Sequence, residues 1–101
     1  MTDKTFLIVN SIPNHQDMIS FKAYISQIVE IFHQFGGVGI ARFKTMEQVM
    51  GNGGIQSVAI FEFPNAQAIH DMMSSLEFNA LNELRKKAFQ QTVDLMICSN
   101  S

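Results

Sequence analysis

Two short runs, Phe6-Leu7-Ile8-Val9 and Val58-Ala59-Ile60-Phe61, are apolar at every position. Both are rich in β-forming residues and are closed by turn signals, Ile12-Pro13-Asn14 after the first and Pro64 after the second, so both read as strands. Successive side chains of a strand point to opposite faces, and a sheet with one wet face alternates apolar with polar residues. These two runs do not alternate. Their sheet must therefore be covered on both sides, and any fold for this chain has to supply two covers.

Helices supply one. Met18, Phe21, Ile25, Ile28, Val29, Phe32 and Phe35 recur with 3.6-residue spacing, and Tyr24 and Ile31 widen the stripe. Asn14 or Asp17 caps this helix, and Gly36-Gly37 stops it after about 19 residues. A strand over Val38 to Phe43 follows, with a continuation over Thr45 to Met50. Gly51-Asn52-Gly53-Gly54 supplies the positive φ angles of a hairpin turn into the strand Gln56 to Phe63. Asn65 caps a short helix through Ala68, Ile69, Met72 and Met73, and after Ser74-Ser75 a second helical piece runs from Leu76 to Ala88. Thr92 to Cys98 is the last strand. The order is β-α-β-β-α-β without linker or repeat, the α+β ferredoxin-like sandwich: two helices on one face of a four-stranded antiparallel sheet.

The second cover then has to come from elsewhere. The chain has 101 residues, enough for a single domain over 1–101, and only 16% of them are charged, against about 25% in an ordinary domain. Nine Phe, eleven Ile and seven Met contribute to an apolar fraction of 47%. A monomer with so few charges exposes apolar surface of the kind that marks an interface. A second copy related by two-fold symmetry is the simplest cover, so a homodimer is expected.

Net charge is −2 and no basic run occurs, which argues against a nucleic-acid partner. Arg85-Lys86-Lys87 falls near a helix C-terminus, where cations complement the dipole, and Phe61 and Phe63 read as core rather than as a base-stacking platform. The longest apolar run near the N-terminus, Phe6 to Val9, is too short for a signal peptide or membrane span, and Cys98 is the only cysteine. A cytoplasmic protein without membrane partner is expected, with Cys98 a small buried hydrophobe in an apolar strand.

No familiar catalytic or nucleotide signature occurs. His15, His33 and His70 lack a second ligand at zinc-site spacing, so neither metal nor cofactor is expected. The strongest polar candidates are Arg42 and Glu62, charges inside otherwise apolar strands. With the hairpin centred near Asn52, Arg42 falls opposite Glu62 or Phe63. One reading is a structural ion pair or an edge facing water; the other is the polar end of a ligand pocket, with Asn10, Tyr24, His33, His70 and Phe78 as further lining candidates.

The opening strand, Phe35-Gly36-Gly37, Arg42, the string Ala59-Ile60-Phe61-Glu62-Phe63-Pro64-Asn65, Ser75-Leu76-Glu77-Phe78 and Arg85 form a recognisable set. Together they resemble the bacterial family catalogued as domain of unknown function 1330, within the dimeric α/β barrel superfamily. The chain departs from the family pattern at Phe43-Lys44, where glycines are usual, and at Leu76 and Phe78, which replace Pro and Tyr. The resemblance implies the fold and leaves the reaction open. The superfamily implies two candidate functions. One is a dimer that binds a small metabolite between sheet and helices. The other is a cofactor-independent monooxygenase, isomerase or decarboxylase acting on a small acidic or conjugated molecule, with His33 or His70 as base. Haem-degrading relatives rely on a tryptophan, and this chain has none.

Overall fold

A computed structural model describes residues 4–91 and 93–100. Its elements are β1 (Thr5–Ser11), α1 (Met18–Gln34), β2 (Val38–Lys44), β3 (Ser57–Phe63), α2 (Ala66–Met73), α3 (Leu76–Asn79), α4 (Asn82–Ala88) and β4 (Asp94–Ser99). The strands form one antiparallel sheet in the order β2-β3-β1-β4. The expected α+β sandwich is the observed one.

Of the two expected caps for α1, Asp17 does the capping: its carboxylate accepts from the Ser20 N–H at 3.1 Å and the Ser20 hydroxyl at 2.7 Å. Asn14 instead ties the segment before α1 to the end of α4, donating to the Lys87 carbonyl. At the other end Gly36 takes φ +87°, and the Gly36 and Gly37 N–H groups donate to the carbonyls of His33 and Phe32. This closing pattern needs a left-handed residue, which is why glycine stands there.

Leu7 and Phe63 are buried to 0% and 3% exposure, and Val9, Phe61 and Leu95 pack around them against α1. Alternation along the strands then assigns both faces. Leu7, Val9, Ser11, Ser57, Ala59 and Phe61 face the helices, while Phe6, Ile8, Val58, Ile60 and Glu62 face away. No described helix packs on that second face, where Val38, Phe43 and Met96 stand 61%, 57% and 40% exposed.

Three sequence expectations need correction. Thr45 to Met50 does not continue β2. After one further bond, Thr45 N–H to the Gln56 carbonyl, the Gln48 side chain donates to the Met50 carbonyl and accepts from the Gly54 N–H. The segment thus closes on itself as an exposed arm. The piece over 76–88 is broken into α3 and α4: the Phe78 carbonyl accepts from the Leu81 N–H at 3.2 Å and from the Arg85 guanidinium at 3.0 Å, where a continuous helix would give it the Asn82 N–H. The last strand begins at Asp94; Thr92, where the expected strand starts, lies outside the described residues.

Candidate functional site

The hairpin register separates the two charges that the sequence pairs. A shift between Gly39 and Ala41 places Arg42 opposite Ala59, and Val38 opposite Glu62. Ala59 and Glu62 stand three apart on β3, so they point to opposite faces of the sheet. Arg42 therefore turns towards the helix side, and Glu62 lies on the open face, 3.8 Å from Lys4 across a partly exposed ion pair. They form no ion pair and share no cavity. The arm explains the difference: the twelve residues between β2 and β3 close with the effective centre of the hairpin moved back from Asn52.

On the helix side the sheet and α1 do not close completely. A cavity of about 90 Å³ remains between them. Its helix wall is Phe21, Tyr24, Ile25, Ile28, Val29 and Phe32; its sheet wall is Val9, Ala59, Phe61 and Leu95, with Phe89 and Val93 at one side. Edge-to-face aromatic pairs hold this wall: Tyr24–Phe89 at 5.4 Å, Phe21–Phe89 at 5.8 Å and Phe32–Phe61 at 4.8 Å between ring centroids. A space so lined is dry by preference and suits an apolar group.

Four polar residues interrupt the lining: Ser11, Tyr24, Arg42 and Ser57. Ser11 and Ser57 are cross-strand partners at the end of β1 and the start of β3. Phe21, Arg42 and Ser57 also line an adjoining surface cleft of about 510 Å³, together with Pro13, His15, Met18, Phe43, Lys44 and Gln56. The apolar cavity thus has a polar mouth. His15 Nε2 and the Gln56 side-chain oxygen lie 2.7 Å apart across it.

Tyr24 is 5% exposed, and its hydroxyl accepts from Arg85 Nε at 2.8 Å. Burial pushes the phenol up from its ordinary range, and the hydrogen bond and charge of Arg85 partly offset this, so Tyr24 stays neutral at ordinary pH. Arg85 also lies 4.1 Å over the Phe78 ring. Phe78, buried to 7%, thereby belongs to the Tyr24–Arg85 cluster rather than to the cavity lining.

The remaining sequence candidates fall outside the cavity. His33 and His70 are exposed in the last turns of α1 and α2, and neither lines it. Asn10 pairs with Val58 and Asp94 on the open face. Cys98, expected to be buried, is only half-buried there, opposite Phe6. Lys44, His15, Ser11 and Ser57 belong to no motif; the period of two along β2, which puts Lys44 on the face of Arg42, was the available signal. Among the described residues no group of three His, Cys, Asp or Glu side chains is gathered to hold a metal, and no helix is long and apolar enough to cross a membrane.

Solved structures share this fold across nearly the whole chain. A protein of unknown function from Rhodopseudomonas palustris is 16% identical with a TM-score of 0.75, covering 99% of this chain and 86% of that one. An ethyl tert-butyl ether d (ethd) family protein from Bacillus halodurans is 13% identical with a TM-score of 0.67, covering 97% and 99%. An antibiotic biosynthesis monooxygenase is 19% identical with a TM-score of 0.60, covering 93% and 95%. At these identities the likeness is one of fold, the ferredoxin-like arrangement of helices on one face of an antiparallel sheet. No curated protein matches the chain. The family model for DUF1330, a domain of unknown function, matches residues 4–100, and the chain belongs to that family.

Proposed function

We propose that this protein is a cytoplasmic homodimer that binds a small, largely apolar molecule between α1 and the sheet. The observation that carries the reading is the cavity of about 90 Å³, walled by apolar side chains and opening to a polar mouth. An unfilled space in a core of this size costs stability, since its lining forgoes packing contacts. Ligand pockets have this composition, mostly apolar with a few placed polar groups. Each methylene that enters gains about 0.8 kcal/mol, so a short hydrocarbon group contributes about 2–3 kcal/mol from the cavity alone.

The uncovered face of the sheet supports the dimer. Phe6, Ile8, Val58 and Ile60 form an apolar strip on the open face, continued by the exposed Val38, Phe43 and Met96. The lone cysteine fits a reducing compartment. A cofactor-independent enzyme has less support. The bases expected for it, His33 and His70, are exposed and line neither the cavity nor its mouth, and the histidine at the mouth, His15, is hydrogen-bonded to Gln56.

Ala59→Leu tests the binding reading, because residue 59 lines the cavity in the middle of a strand. Small apolar compounds should raise the melting temperature of the wild-type protein. In Ala59→Leu the fold should persist and the shift should vanish. Equal shifts in both proteins, or none in the wild type, would contradict the reading.

A further inference from the structure

The mouth of the cavity is electrically one-sided. Arg42 and Lys44 both project from β2 towards it, two residues and hence about 7 Å apart along the strand. Neither has a hydrogen-bond or ion-pair partner among the described residues, whose two salt bridges join Lys4 to Glu62 and Lys86 to Glu83. No aspartate or glutamate lines either the cavity or the mouth. This happens in a chain with nine acidic residues against seven Lys and Arg, where a random site would feel a field of the other sign. Ser57 stands opposite Lys44 on β3, and His15 lies across the opening.

Resting on the cavity reading, we propose that the ligand is a small apolar acid, its hydrocarbon part in the cavity and its oxyanion head at Arg42 and Lys44. The guanidinium fork of Arg42 matches a carboxylate, and its place between cavity and mouth puts the charge where the hydrocarbon ends. Lys44 adds a point charge and Ser57 a hydroxyl donor. A neutral analogue of the same shape would fill the cavity equally well and leave both cations as they are.

The test uses matched ligands: phenylacetate, hexanoate and octanoate, each against its primary amide, titrated calorimetrically at low salt into the wild type, Arg42→Gln, Lys44→Gln and the double variant. Charged hydrogen bonds are the stronger ones, so each acid should bind roughly tenfold or more tightly than its amide. Adding salt should narrow the gap. In the double variant the acids should weaken to the level of the amides, whose own binding should fall far less than that of the acids. Both side chains are exposed and unpartnered, so the variants keep the fold, which circular dichroism checks. Equal binding of acid and amide by the wild type would overturn the anion preference and leave the cavity reading standing. Failure of every acid and every amide to bind would overturn both.

Discussion

The Arg85 guanidinium donates to the Tyr24 hydroxyl, the Phe78 carbonyl and the Asn82 side chain while lying against the Phe78 ring. It thereby joins α1 to α3 and α4 through one residue. Arg85→Ala should cost about 2 kcal/mol, from lost charged hydrogen bonds and ring contact, and Arg85→Lys should recover little, because an ammonium cannot reproduce the fork. Tyr24→Phe should cost about 1 kcal/mol by leaving the Arg85 Nε–H without its acceptor. Chemical denaturation checks all three. The raised phenol of Tyr24 sets a pH dependence with definite sign. Tyrosine in the unfolded chain ionises near 10, the folded one only higher, so this contribution is whole below about pH 10 and is lost as pH rises through the folded value. Stability of Tyr24→Phe should lack that alkaline decline. In the sequence Arg85 shows as one of three cations near a helix end and as a residue of the family resemblance, neither of which points to Tyr24. Its contacts with residue 24, distant in sequence, exist only once the fold has formed, and no local pattern announces them.

At the scale of elements, the junction between α1 and β2 leaves no room for a side chain at Gly37. A Cβ on Gly37 would stand 2.5 Å from the tip of the Phe63 ring, which is itself buried to 3% in the core. Gly37→Ala should therefore destabilise by about 1–3 kcal/mol through overpacking, read as a lowered denaturation midpoint with unchanged slope. The elements themselves were legible because each carries its own period and stop signal: the stripe of α1, the doubly apolar β1 and β3, Asn65 before α2. The register of β2 on β3 was not. Register follows from turn geometry, and the arm between Thr45 and Ile55 spends its residues on internal hydrogen bonds of Gln48 rather than on extending the ladder. That one shift moved Arg42 from a supposed partnership with Glu62 to the mouth of the cavity. The cavity itself leaves no sequence signal, since its walls are ordinary core residues that happen not to meet.

For the whole molecule, the open sheet face and the cavity make separate demands. If a second copy covers the sheet, Ile60→Lys should convert the dimer to a monomer in sedimentation without unfolding it, because Ile60 lies at the centre of the strip. Cys98 is a built-in reporter of the same event, half-buried on that face beside Met96. Its thiol should label slowly in the wild type and quickly in Ile60→Lys. A wild-type protein that sediments as a stable monomer with rapidly labelled Cys98 would remove the dimer. The proposed ligand site lies on the other side of the sheet, which allows a direct measurement: methyl-resolved NMR of the wild type and Ala59→Leu titrated with phenylacetamide, a neutral compound without the acid's charge. The methyls of Val9, Ile25, Ile28, Val29 and Leu95 should shift in a saturable way in the wild type and stay unmoved in Ala59→Leu, with Ile8, Val58 and Ile60 unaffected in both. Shifts confined to the open face, or none at the cavity methyls across the titration, would contradict a ligand site between α1 and the sheet.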